Sequence, residues 1–362
     1  MLRKVVAVAI MCIGITGTLF ASVSLCDYQA PTTDLTGLIL SFYYNYLNEP
    51  TADRPEVSSG QLSLTFSRTQ DTSQFGVSIE SSNEIALDHL ELTKASGETS
   101  ATARAYVSDM DPLFGYAETR VAYGFADTQV QMRFGGGYGR IVDVTPMVRA
   151  MRIEQVLIEY QLVAGLPDST LFGIADLISR EAEYATLGEL ITEIQRSIET
   201  EVGRAVPVQV LLQIAEKVVG SEPEKQCGGT AQLGFGASID RGFVRSSAIT
   251  ASFRFARALG LSSQLRTRAD LSFPLSEQEL RRFTASLRYD RRVSDIATFV
   301  AEYSAQWTVS PDRSISIGED LRADLVLDVG KLTVTVRAGL ARGTPARRWT
   351  ESVLITASLD LA

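Results

Sequence analysis

Arg266, Arg268 and Asp270 occupy alternate positions of one stretch, and Leu265, Thr267, Ala269 and Leu271 fill the places between them. A spacing of two sets the three charges on one face of an extended strand. Arg104, Arg120, Arg133, Arg254, Arg288, Glu302, Arg322, Asp324 and Arg337 stand in similar alternating stretches, with Glu80, Glu118, Asp290 and Asp360 among them. Arginines and carboxylates sharing a wet face support two arrangements. They line water and set a field across it, or they pair into salt-bridged ladders that fill the space between them. The residue types favour neither, although a slight arginine excess would attract anions in the first.

Other chemistry-bearing residues are sparse. The one histidine, His89, has no serine or aspartate motif around it, so a solvated side chain is expected and no enzyme is predicted. Gly135–Gly139 lacks the lysine and hydroxyl of a phosphate loop, and a strand end or hinge is the expectation. There is no Cys-x-x-Cys-His for haem attachment, and no cofactor or metal site is predicted. Beyond the first 24 residues only Cys26 and Cys227 remain. They are candidates for a disulfide in an oxidising compartment. A free or lipidated Cys26 is the alternative, although Leu25 stands where a lipidation signal wants a small residue.

The elements that must position these residues begin with an export signal. Met1-Leu2-Arg3-Lys4 is basic, and Val5 to Leu25 is apolar with small residues at Ser22 and Ser24. Residues 1–24 are therefore expected to be a cleaved signal peptide, an uncleaved anchor helix being the alternative. Loss of Arg3 and Lys4 takes the net charge from −9 to −11. Residues 25–140 hold 7 basic and 15 acidic side chains, 141–226 hold 7 and 14, and 227–362 hold 18 and 14. That balance excludes nucleic acid, whose phosphates need a concentrated basic surface.

Period-two alternation runs through most of the remaining chain. Leu233, Phe235, Ala237 and Ile239 share one face, and Ile249, Ala251, Phe253 and Phe255 another. The pattern continues to Val353, Ile355, Ala357 and Leu359, and it recurs less cleanly from Leu38 to Phe134. These runs approach ten residues, the length a tilted strand needs to cross a bilayer. With no connecting helices between them, consecutive strands should pair antiparallel and close into a barrel that satisfies every backbone group in lipid. Eight strands are read after the helical segment and about seven before it, with Ile85–Thr93 ambiguous. An odd total would part the termini, so about 14 strands are predicted, with 16 as the alternative. Trp307, Trp349, Tyr289 and Tyr303 lie near expected strand ends, where interfacial aromatics sit.

From Asp143 to Gln226 the period becomes helical. Four helices are expected, marked by Val148, Met151 and Val156; by Ile174 and Ile178; by Leu190, Ile194 and Ile198; and by Val210, Ile214 and Val218. Loop parity counted from the C-terminus puts this segment on the periplasmic side. The resulting division is a signal peptide at 1–24, an N-terminal barrel half at 25–140, a periplasmic helical insertion at 141–226 and a C-terminal barrel half at 227–362.

So patterned, the chain resembles the outer-membrane β-barrel proteins. Gly137-Tyr138-Gly139-Arg140-Ile141-Val142-Asp143-Val144-Thr145-Pro146, leading into an alanine-bearing amphipathic helix, is similar to a segment of poorly characterised bacterial outer-membrane proteins. The resemblance implies architecture, outer-membrane residence in contact with lipid, and insertion by the barrel-assembly machinery, without a known activity. The ending Leu359-Asp360-Leu361-Ala362 departs from the aromatic terminus of many such barrels. The expected function is a passive or gated channel whose helical insertion is a gate or docking domain. A filled barrel that binds a periplasmic protein through the insertion is the alternative.

Overall fold

A computed structural model describes residues 24–29, 33–47, 57–88, 91–108, 112–124, 128–220, 224–240, 243–276, 280–294, 296–312, 314–329, 332–343 and 349–359. The signal segment through residue 23, His89, Asp360 and the chain end lie outside them. Six strands precede the helices: β1 (Thr33–Leu47), β2 (Val57–Asp71), β3 (Phe75–Asp88), β4 (Glu91–Tyr106), β5 (Leu113–Tyr123) and β6 (Thr128–Asp143). Eight follow: β7 (Gln226–Asp240), β8 (Phe243–Ala258), β9 (Ser263–Pro274), β10 (Arg281–Ser294), β11 (Ala297–Val309), β12 (Ile315–Val329), β13 (Leu332–Gly343) and β14 (Thr350–Leu359). Each pairs antiparallel with its sequence neighbour in one fourteen-stranded sheet, and β14 returns beside β1. Strands of 10 to 16 residues exceed the roughly 9–11 needed to cross a hydrocarbon layer at a tilt.

The strand count corrects the N-terminal third. Ile85–Thr93 is not a separate strand: Ile85–Asp88 ends β3 and Glu91–Thr93 begins β4. Its apolar residues alternate on both sides of a chain reversal, which made two strand ends look like one segment. The even total sets the start of β1 and the end of β14 at the same end of the sheet, together with the connection between β6 and β7. That connection is shorter than 141–226, because β6 runs to Asp143 and β7 starts at Gln226.

Register separates the two faces. Leu233, Ala251, Leu271, Phe283, Trp307 and Ile317 follow one another across six strands as direct partners. This row belongs to a continuous outward band in which Leu38 is 69%, Leu233 63% and Val353 77% exposed. Apolar exposure on this scale is the signature of a surface that meets lipid. The Phe134 and Phe235 rings lie 5.6 Å apart within the band, and Phe283 and Trp307 5.1 Å apart. Trp307 is near the end of β11 and Trp349 just precedes β14, whereas Tyr289 and Tyr303 fall inside β10 and β11. Among the described residues no helix is long and apolar enough to cross a membrane; the crossing is made by strands.

Four helices fill the connection: α1 (Thr145–Glu159), α2 (Asp168–Ser179), α3 (Leu187–Val202) and α4 (Val208–Val219). Pro146 sits in the first turn of α1, where its missing N–H costs nothing. Thr186 caps α3 by accepting from the Glu189 N–H at 3.3 Å, and Gly203 ends it at φ +70°, a conformation that glycine adopts without strain. Ile153, Ile174, Ile194 and Ile214 meet in one fully enclosed core. Truncating Ile194 to alanine is expected to lower the helical domain's stability by about 2–5 kcal/mol. A denaturant titration followed by helical circular dichroism would measure the loss, while the barrel keeps its heat-dependent gel mobility.

The two ends of the helical domain are tied together where it leaves and rejoins the sheet. The Val144 N–H donates to the Lys225 carbonyl at 2.8 Å, and the Lys225 N–H donates to the Thr145 hydroxyl at 2.9 Å. An N-terminal strap also packs here. Leu25 and Tyr28 are buried in the helical core alongside Ala258, with Leu261 against its edge. Tyr28 stacks on Phe172 of α2 at 6.2 Å, and Cys26 is disulfide-bonded to Cys227 at the start of β7, with Cα atoms 5.3 Å apart. A sulfur so bonded carries no lipid thioether. Strap, strand and helices therefore form one packed unit at one end of the barrel.

Candidate functional site in the barrel interior

Among the described residues the charged side chains of the strands fall mainly on inward-facing positions, because the outward ones must suit lipid. Glycine clears part of this space. Gly135, Gly136 and Gly137 are not a strand end or hinge: they lie within β6 and pair with Gly234, Leu233 and Gln232 of β7. A Cβ at Gly137 would sit 2.7 Å from Cε2 of Phe114, and one at Gly234 would meet the Tyr116 ring. Phe114 and Tyr116 of β5 thus reach over the bare backbone of β6 and β7. Nearer the helical end, Gly139 and Gly228 adopt φ of +101° and +115°, which L-residues rarely tolerate.

Open cavities among the described residues include two in the interior. One of about 620 Å³, toward the end away from the helices, is lined by Arg268, Asp270, Ser286, Gln306, Asp320 and Arg342. The other, about 380 Å³, reaches the helical end. It brings Arg104, Arg254, Arg266, Arg268, Arg288 and Glu302 together, with Asp71 and Glu80 of β2 and β3 also in its wall. Arg268 lines both cavities.

Most of the arginines proposed from sequence as lining residues have carboxylate partners. Arg120 pairs with Glu98 at 2.5 Å and Arg133 with Glu118 at 3.5 Å. Asp324 receives both Nε and Nη2 of Arg337 at 2.8 Å, the forked geometry that suits guanidinium to carboxylate. Arg322 pairs with Asp320 at 2.6 Å. Asp290 takes Arg266 at 2.8 Å and Arg288 at 2.9 Å, Glu302 lies 3.9 Å from Arg288, and Arg268 pairs with Asp270 at 2.5 Å. Arg120, Arg133, Arg322, Asp324 and Arg337 are not among the residues lining the two cavities.

Sequence reasoning missed Glu98, Asp320, Phe114 and Tyr116 as interior residues. Asp320 stands two before Arg322, and Phe114 and Tyr116 stand four and two before Glu118, so period-two parity carried a signal for each. Gln264 falls on the same wet face as Arg266 and Arg268. With its amide turned to satisfy both partners, it donates to the Glu224 carbonyl at 2.8 Å and accepts from the Gln226 N–H at 3.1 Å, linking β9 to the exit of the helical domain. Among the described residues no group of three metal-ligating side chains comes together.

No protein-family profile matches the chain, and no curated protein does. Solved structures with a similar course include a loop-deletion mutant of OmpT, an outer membrane protein of Vibrio cholerae. It shares 9% identity over 91% of this chain and 99% of that one, with a TM-score of 0.36. OprD from Pseudomonas aeruginosa shares 8% over 92% and 95%, with a TM-score of 0.33. Omp33 of Acinetobacter baumannii shares 10% over 92% and 98%, with a TM-score of 0.31. Values this low assign neither activity nor substrate. The chain's own features are decisive for its class: fourteen paired strands, an apolar outer band and a charged interior make it a β-barrel of the outer-membrane type.

Proposed function

We propose that the chain is a channel of the bacterial outer membrane, exported through its N-terminal signal and inserted by the barrel-assembly machinery, with α1–α4 on the periplasmic side as a gate. The observation that carries this reading is the pairing of a charged interior holding open cavities with a helical domain at one end, packed against a strap that is disulfide-bonded to β7. A wet, charge-lined lumen passes small solutes, and a packed domain at its mouth governs access. In planar bilayers the refolded full-length protein should give low or intermittent conductance. A variant with residues 145–224 replaced by a short glycine-serine turn should conduct more and for longer. Silence from both proteins would end the channel reading.

A second reading, a filled barrel that binds a periplasmic protein, draws on α4, where Val208, Leu212 and Val219 are 71%, 68% and 58% exposed. A photo-crosslinker at position 212 should then capture one partner in cells, and capture should be lost on Val208→Asp. Wild-type behaviour of cells carrying the deletion would count against it.

A further inference from the structure

Two arginine pairs stand in direct register on adjacent strands. Arg254 of β8 faces Arg268 of β9, and Arg266 of β9 faces Arg288 of β10. Like charges set opposite one another destabilise a sheet unless opposite charge is placed among them. The protein supplies that charge unevenly. Asp290 serves both Arg266 and Arg288, and Asp270 serves Arg268. Arg254 has none. Its charged neighbours are Arg268, Arg104, Glu80 and Asp270, yet it joins no ion pair among the described residues, and its Nε is buried without a hydrogen-bond partner. The Nε of Arg104, on the far wall, is likewise buried and unpartnered. Both side chains line the 380 Å³ cavity.

We propose that Arg254, with Arg268 beside it and Arg104 across from it, forms a binding site for a small dianion bearing phosphate or paired carboxylate groups. The proposal rests on the reading of the interior as water-filled, because the ligand must reach it. Guanidinium forks match oxyanions bidentately, so two or three converging arginines hold a multivalent oxyanion better than chloride. The cavity's size fits a small organic ligand. Asp71, Glu80, Asp143 and Glu302 also line this cavity, which leaves the converging guanidinium groups as the part of it that attracts an anion.

The test uses full-length protein refolded in detergent, titrated calorimetrically with sodium pyrophosphate and, separately, with succinate, both in a chloride background. At least one should bind saturably, and the two arms distinguish phosphate from carboxylate. Arg254→Gln should weaken that binding by about tenfold or more, the effect of losing a charge-assisted contact, and Arg254→Lys should fall between. Arg196→Gln, on the solvent face of α3 where Arg196 pairs with Glu193, should bind like wild type. Arg104→Gln repeats the test from a different strand, and heat-dependent gel mobility verifies that each variant is folded. Binding of neither probe would overturn the site, as would unchanged affinity in both Arg254→Gln and Arg104→Gln. Calorimetry needs no current. A protein that binds pyrophosphate but does not conduct keeps the site and loses the channel, and one that conducts but binds neither probe loses only the site.

Discussion

Gly135→Val is expected to abolish the compact form of the barrel that shifts mobility on heating, whereas Gly136→Ala should leave it intact. The two glycines are adjacent but face opposite ways. A Cβ at Gly135 would stand 2.6 Å from the Cα of Gly234 and closer still to the Leu233 carbonyl oxygen, both in the backbone of β7. Neither atom can rotate away. Gly136 points outward, and its nearest neighbour would be the Phe114 carbonyl at an ordinary 3.7 Å. Overpacking usually costs about 1–3 kcal/mol because side chains shift to absorb it. Here the obstacle is the ladder itself, so the cost falls at or above the top of that range and acts where the two halves of the barrel are zipped. Heated and unheated samples on one gel would measure it. Equal folded fractions for the two variants would show that β6 and β7 are not packed this closely.

The same glycines mark a limit of reading the chain alone. A run of glycines is a turn signal in most contexts, and only the aromatics of β5 that lie over it reveal a cleared floor. Phe114 and Tyr116 come some twenty residues earlier, and register alone brings them over Gly137 and Gly234. By contrast, the eight strands after the helices were legible because lipid outside and charge inside force a strict period of two. The reversal between β3 and β4 was hidden because Asp88-His89-Leu90-Glu91 contains neither glycine nor proline to interrupt the pattern. Which residues face inward was thus readable for the arginines, while their electrostatic standing was not. Arg254 and Arg268 look alike in sequence, yet Arg268 is ion-paired with Asp270 and Arg254 joins no ion pair among the described residues, its Nε buried without a partner. The sequence also left the state of Cys26 open, since its partner lies 201 residues away and is reached only when the strap folds back over the helices.

Reduction of the Cys26–Cys227 bond should raise the conductance of the full-length protein only in part, and reduction combined with Tyr28→Ala should raise it to the level of the helix-deleted variant. The disulfide fastens the strap to β7, and a native disulfide contributes typically about 2–4 kcal/mol. It is not the strap's only hold. Leu25 and Tyr28 are buried in the core shared with α1–α4, and burying such side chains contributes about 1.5–3 kcal/mol each. Burial also pushes the Tyr28 hydroxyl well above the ordinary phenol range, so mild alkali at the recording electrode cannot ionise it and loosen the strap. With only the sulfur link broken, apolar packing should return the helical domain to the barrel mouth after each excursion, giving brief openings. With the tyrosine removed as well, the closed arrangement loses both holds and openings should lengthen. Bilayer records before and after a phosphine reductant separate these cases, and Cys227→Ser should reproduce reduction without the reagent. If the helix-deleted barrel conducts freely while the reduced Tyr28→Ala protein stays closed, the strap is not what holds the gate. The hydrogen bonds that join Val144 and Thr145 to Lys225 would then be the next contacts to break.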